Sequence, residues 1–142
     1  MGKKFFDEIE LFLFDMDGLL FDTETIYVEY GREVAKKTGY TITKDIVEKT
    51  TGVTNDKARI LFKESLGQDF PYDEMMGKVK NHILELAKKS EVPLKPGALE
   101  LLEFLRENNK EMILATSSDL FMAEALINGK DLKKYFSYFV TA

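Results

Sequence analysis

The chain has no cysteine and a single histidine, His82, among its 142 residues. The first absence excludes a disulfide framework, a thiolate metal centre and a cysteine nucleophile. The second leaves almost no room for the triads and zinc sites that depend on imidazole. Long apolar runs are also missing, and none approaches the ~20 residues needed to span a bilayer. The opening stretch MGKKFFDEIELFLF is interrupted by Asp7, Glu8 and Glu10, so it lacks the apolar core of a signal peptide. Phe6 breaks the pattern for N-terminal myristoylation. Nor is there an excess of positive charge: 20 Lys and Arg stand against 25 Asp and Glu, a net charge of −5. Nucleic-acid surfaces need clustered cations to replace counterions, so the expectation is a soluble cytoplasmic protein with no nucleic-acid or membrane partner. Carboxylates and a hard metal ion must carry most of any catalysis.

What is present is enough for a globular fold. Hydrophobic residues make up 44% of the chain and charged residues 32%, and the length suits one domain, or one with a small domain inserted. Residues 9–14 (IELFLF) form a short apolar run that ends in DMDG, which reads as a buried strand feeding a loop. From Asp22 or Thr23 the period changes: Ile26, Tyr30 and Val34 recur every four residues until Gly39, a helix with its start and stop signals. Further helices are expected over 44–49, after Thr54 or Asn55, and from Pro71 onward, where Met76, Val79, Ile83 and Leu86 step by three and four. The segment SEVPLKPGALE, with Pro93, Pro96 and Gly97, is the clearest break. Beyond it the pattern is helix, strand (112–115), helix (119–127) and strand (138–141). Strand–helix–strand at this spacing predicts a βαβ unit with parallel strands. The first strand is assigned to the same α/β sheet, and the all-helical stretch between becomes an insertion.

Open α/β sheets bind ligands beyond the carboxyl ends of their strands. Asp15 and Asp17 follow the first strand; Thr116, Ser117 and Ser118 follow the strand that begins near Met112. Two carboxylates and a hydroxyl cluster would meet at one rim. Such oxygen ligands suit Mg²⁺ together with phosphate oxygens. One Asp could attack as a nucleophile, and the other could pass a proton to the leaving oxygen. Blander readings exist. A lone DxD serves as turn or cap chemistry, and the hydroxyl trio could cap the helix beginning near Asp119. A calcium EF-hand is excluded, because it needs Gly at its sixth position and Gly18 stands fourth from Asp15.

The longer strings FDMDGLLFDTE (14–24), KPGALELLEFLRENN (95–109), ILATSSD (113–119) and YFSYFVTA (135–142) strongly resemble the haloacid dehalogenase superfamily. The likeness is to its phosphatases and β-phosphoglucomutase-like members with a helical cap, and it runs over essentially the whole chain. It implies a Rossmann-like parallel sheet, incomplete here, formed by residues 1–18 and 94–142, with a helical cap over 19–93 and a return hinge at 95–97. By resemblance, Asp15 is the nucleophile that becomes aspartyl-phosphate and a Mg²⁺ ligand. Asp17 matches the acid/base position, whose backbone carbonyl also contacts the metal. Thr116 matches the hydroxyl that holds the phosphoryl group, with the backbone of Ser117 beside it. Gly52 and Asn55, in the loop TTGVTNDKA, match the cap's substrate-facing loop.

Two departures stand out. The family's lysine after the third core strand and its acidic pair have no counterpart here; Lys130, Lys133 and Lys134 precede the last strand and read as a solvated turn. The expectation is therefore the N-terminal part of a longer enzyme, inactive as it stands, with a bare sheet edge that invites self-association. The arginine and histidine that mutases carry near Asn55 and Tyr27 are also missing, which removes a bidentate phosphate grip. The implied activity is a Mg²⁺-dependent phosphomonoester hydrolase acting on a small phosphorylated metabolite. A phosphosugar mutase and a non-catalytic phosphate- or partner-binding module remain alternatives. His82 is read as a surface residue, and Met75, Met76, Met112 and Met122 as packing.

Overall fold

A computed structural model describes residues 6–142; the first five residues of the opening stretch lie outside the described residues. The elements run β1 (Leu11–Phe14), α1 (Thr23–Lys37), α2 (Lys44–Thr50), α3 (Asn55–Leu66), α4 (Tyr72–Lys88), α5 (Ala98–Glu107), β2 (Glu111–Ala115), α6 (Leu120–Gly129) and β3 (Tyr138–Val140). A single 3₁₀ turn, Lys133–Tyr135, leads into β3. The chain divides into two compact units, one built from residues up to Thr23 together with Leu84–Ala142, the other from Glu24–Ile83. These borders fall inside α1 and α4, whereas the sequence reading placed them at 18/19 and 93/94.

The first unit is α/β. Its sheet has the order β1-β2-β3, with both pairings parallel: Phe14 lies opposite Leu114, and Ala115 opposite Val140. Because side chains alternate across a strand, Phe14, Met112 and Leu114 turn to one face and are buried. Helix α5 packs against β2 and buries Ala98, Leu102 and Leu105, while α6 buries Met122, Ala123, Leu126 and Ile127. The alternate positions are different: Leu13 and Tyr138 are each 66% exposed, and Leu11 and Val140 are also exposed. Parallel sheets are ordinarily covered on both faces. Here one face carries an apolar strip that the described residues leave open.

The second unit is helical. Val34 and Ala35 of α1, Ile46 of α2, Phe62 of α3 and Met75 of α4 share one core, reinforced by Phe62 and Phe70 stacked at 5.6 Å. Local signals start and stop these helices as the sequence suggests. Thr43 caps α2 by accepting the Ile46 N–H, and Thr54, not Asn55, caps α3 by accepting that of Lys57. Helix α1 closes on Gly39 (φ 86°), with Tyr40 N–H on the Ala35 carbonyl and Gly39 N–H on that of Lys36, the paired bonds of a left-handed C-cap. His82 departs from its reading as a surface residue. It is half-buried and lies flat on Tyr30 at 3.9 Å between ring centroids. Met75, Met112 and Met122 are buried as core packing. Among the described residues no helix is long and apolar enough to cross a membrane.

Candidate active site

The end of β1 is held by a backbone turn. The Met16 carbonyl accepts the N–H groups of Leu20 and Phe21 at 3.0 and 3.1 Å, and Gly18 N–H returns to the Phe21 carbonyl at 2.9 Å. Gly18 takes φ 76°, a left-handed position that glycine occupies without Cβ strain. Met16, Leu20 and Phe21 are all buried, so the turn is anchored by its apolar members. Asp15 and Asp17 flank Met16; Asp15 is exposed and Asp17 half-buried. The return segment is tied to the same turn: Asp22 N–H donates to the Pro93 carbonyl at 2.9 Å, and Lys95 N–H donates to that of Leu20 at 2.8 Å. Lys95 also approaches Asp22 at 3.7 Å.

Asp17 is the most constrained group of the site. Its Oδ1 accepts the Thr23 hydroxyl at 2.7 Å and its Oδ2 accepts the Ser118 hydroxyl at 2.7 Å. Thr23 is fully buried, although the sequence presents it only as a helix cap. Ser118 joins the two loops, because it reaches Asp17 across 101 positions of sequence. Both partners are hydroxyls, which can donate to a carboxylate and rotate to accept from a carboxylic acid. Asp17 can therefore keep its position in either protonation state. Asp15 Oδ1 accepts the Met16 N–H at 2.7 Å, which fixes that carboxylate over the turn.

The second loop is set by register. Phe14 pairs with Leu114, so the chain continues to Asp15 on one strand as it approaches Thr116 on the other. Thr116 N–H bonds the Val140 carbonyl at 2.9 Å, and its Oγ1 accepts the Ser118 N–H at 3.1 Å. Ser117 is exposed. The cap of α6 is Asp119, whose side chain accepts Met122 N–H at 2.9 Å. The hydroxyl trio is thereby left out of the capping role that the sequence also allowed. Lys130 and Lys134 are engaged elsewhere, on the Ser90 carbonyl and on Asp131.

Among the described residues no three Asp, Glu or His side chains converge as a ready metal cluster. The donors that Asp15 and Asp17 do offer are all oxygen, and Mg²⁺ ordinarily takes only one or two carboxylates, filling the rest with waters and substrate phosphate. The site fits such an ion in kind. In the helical unit, Gly52 lies on the wall of a cavity of about 560 Å³. The side-chain carbonyl of Asn55 accepts the Tyr72 hydroxyl at 2.9 Å.

Comparison with known proteins gives the family and the fold. Residues 12–142 match the family described as haloacid dehalogenase-like hydrolase. A phosphorylated carbohydrates phosphatase of Thermotoga maritima is 32% identical over 136 residues, covering 93% of this chain and 61% of the relative. A probable pseudouridine-5'-phosphatase of Saccharomyces cerevisiae is 37% identical over 112 residues, covering 75% of this chain and 45% of its own length. A crystal structure of a candidate β-phosphoglucomutase from Thermotoga maritima is 31% identical with a TM-score of 0.69, covering 94% of this chain and 61% of that one. CbbY from Rhodobacter sphaeroides, solved with phosphate, shares the fold at TM-score 0.70 and 21% identity. The chain thus spans about three fifths or less of the curated relatives it matches.

Proposed function

Because the chain belongs to the haloacid dehalogenase-like hydrolase family, we propose that it carries the phosphoryl-transfer half of a Mg²⁺-dependent phosphomonoesterase. The observation that carries this reading is the paired placement of Asp15 and Asp17 at the end of β1, with Asp17 held on both oxygens by Thr23 and Ser118. The relatives with phosphatase names support the reaction class. Asp15, unencumbered on one oxygen, attacks the phosphorus of a small phosphorylated metabolite; the new P–O bond forms as the bond to the alcohol breaks. Asp17 gives its proton to the departing oxygen. In the second half, Asp17 takes a proton from water as the water oxygen attacks the phosphorus and frees Asp15. Thr116, one loop away, supplies a hydroxyl to the transferring group, with the Ser117 backbone beside it. The Asp15 carboxylate and the Asp17 backbone carbonyl would hold Mg²⁺, which when bound offsets the charge repulsion between a carboxylate and a phosphate dianion.

By the family resemblance, the lysine and the acidic pair that complete such a site are not matched within residues 1–142, so turnover by this chain alone is expected to be slow. The mutase reading gains nothing from the geometry, since Asn55 is bonded to Tyr72 and carries no guanidinium. Phosphate release from a phosphomonoester panel with Mg²⁺, measured for the wild type and for Asp15→Asn, tests the proposal. Release that stops in Asp15→Asn with the fold unchanged supports it. Release that survives overturns it, and phosphate binding with no phosphoryl transfer at all would make the chain a binding module.

A further inference from the structure

Among the described residues strand β1 pairs only with β2, so one of its edges is free. The Glu10 carbonyl accepts the Glu111 N–H at 3.0 Å. Main-chain groups alternate in direction along a strand, so residues 10, 12 and 14 address β2, while Leu11 and Leu13 turn their N–H and C=O groups to the open edge. Free edges are ordinarily guarded by a lysine, a proline or a bulge. Residues 11–14 read LFLF and carry none of these.

Apolar side chains flank this edge on both faces of the sheet. Leu11 and Leu13 stand on the uncovered face, 45% and 66% exposed. On the helical face Phe6 bridges Phe12 and Phe104 of α5, at 6.1 and 5.3 Å between ring centroids. Phe104 and Leu101, one turn earlier on α5, are exposed as well. A strand added here must be apolar on both of its own faces. β1 is itself such a strand.

We propose that β1 pairs with β1 of a second copy of this chain, antiparallel about a two-fold axis through Phe12. In that register Leu11 lies opposite Leu13 of the second copy, and Leu13 opposite its Leu11. The residues with free edge groups then exchange four hydrogen bonds. Centring the pair on Leu13 would set Leu11 against Asp15. Centring it on Leu11 would require the Ile9 N–H, which is already given to the Phe6 carbonyl. Charge agrees with the Phe12 register, because Glu10 meets Phe14 and no carboxylate of the strand or its flanks faces another. Over two copies the surface comes to roughly 1,000 Å², the lower limit of a specific interface, so the dimer dissociates on dilution through the micromolar range.

Sedimentation of the 142-residue chain should show a monomer–dimer equilibrium. Leu13→Pro removes an edge N–H and no bond to β2. The two-fold counts that loss twice, so association should weaken about tenfold or more with circular dichroism unchanged. The chain has no cysteine, so introduced cysteines report the register. A mixture of Leu11→Cys and Leu13→Cys chains should form the mixed disulfide several-fold faster than either forms its own. A monomer at every concentration, an open-ended assembly, association that a folded Leu13→Pro leaves unchanged, or mixed and self disulfides at equal rates overturns the inference. If Leu13→Pro does not fold, the disulfide rates decide.

Discussion

Replacing Thr23 by Val removes one hydroxyl and changes almost nothing in shape, so it isolates the bond to Asp17. That bond is short, 2.7 Å, and its donor is fully buried. A hydrogen bond to a charged group contributes about 1.5–3 kcal/mol, and the methyl that replaces so buried a hydroxyl offers the Asp17 carboxylate nothing in its place. We expect Thr23→Val to cost about 2 kcal/mol in urea unfolding. Ser118→Ala cuts the other bond to Asp17, also 2.7 Å, but Ser118 is only half-buried. Water can replace its hydroxyl, so about 1 kcal/mol is expected. Asp17→Asn provides a control, because hydroxyl partners rotate to serve an amide as well as a carboxylate; its stability cost should fall below that of Thr23→Val. If Thr23→Val costs less than about 0.5 kcal/mol, the bond contributes no more than an exposed one, and the argument for a positioned Asp17 fails.

Three other outcomes follow from particular contacts. Arg59 bridges Asp56 and Asp73 at 2.6 and 2.8 Å, and its hydrogen bonds hold the Asp73 carboxyl below the ordinary 3.8 of an aspartate. A carboxyl lowered in the folded state stabilises above its unfolded value and loses that contribution as pH falls through the folded one. Arg59→Met should therefore lower the melting temperature at neutral pH, with the gap from wild type closing below pH 3.8; a gap that persists in acid would refute it. At Gly129 an added Cβ would collide with the Ala87 carbonyl oxygen, so Gly129→Ala should cost about 2–3 kcal/mol, and a neutral result in denaturant titration would show the two helices free to part. On the open sheet face, Leu13→Lys should reduce concentration-dependent self-association of the chain in sedimentation, since Leu13 and Tyr138 are each 66% exposed and uncovered apolar faces invite pairing; identical sedimentation would remove that face from consideration.

Much of the fold could be read from local signals. The apolar run ending at DMDG, the four-residue recurrence up to Gly39 and the Pro93–Gly97 break each depend on neighbours in sequence, and each marks an element in the structure. Strand pairing followed from the βαβ spacing, and the parallel registers agree with it. The positions of Asp15 and Asp17 just past the end of β1 were legible because the two stand in a contiguous motif after an apolar run. Thr23 and Ser118 were not. Thr23 looks like a cap by position, and only the turn bonded to the Met16 carbonyl brings it back onto Asp17. Ser118 was masked by its neighbours, since three hydroxyls in a row give no sign of which one faces a residue 101 positions away. His82 was misread for a related reason: its stack on Tyr30 joins two helices, and helical periodicity says nothing about what a half-buried ring meets. The cavity beside Gly52 is likewise a product of packing.

The most direct test of the central claim is to look for the phosphoryl group on Asp15 itself. The chain would be treated with Mg²⁺ and acetyl phosphate, quenched in acid, and its peptides read by mass spectrometry; a single labelling event does not require a completed catalytic cycle. The account predicts a hydroxylamine-sensitive phosphoryl adduct on Asp15, absent from Asp15→Asn and still formed in Asp17→Asn. An adduct on another residue, or none on a chain whose fold is intact, would contradict it.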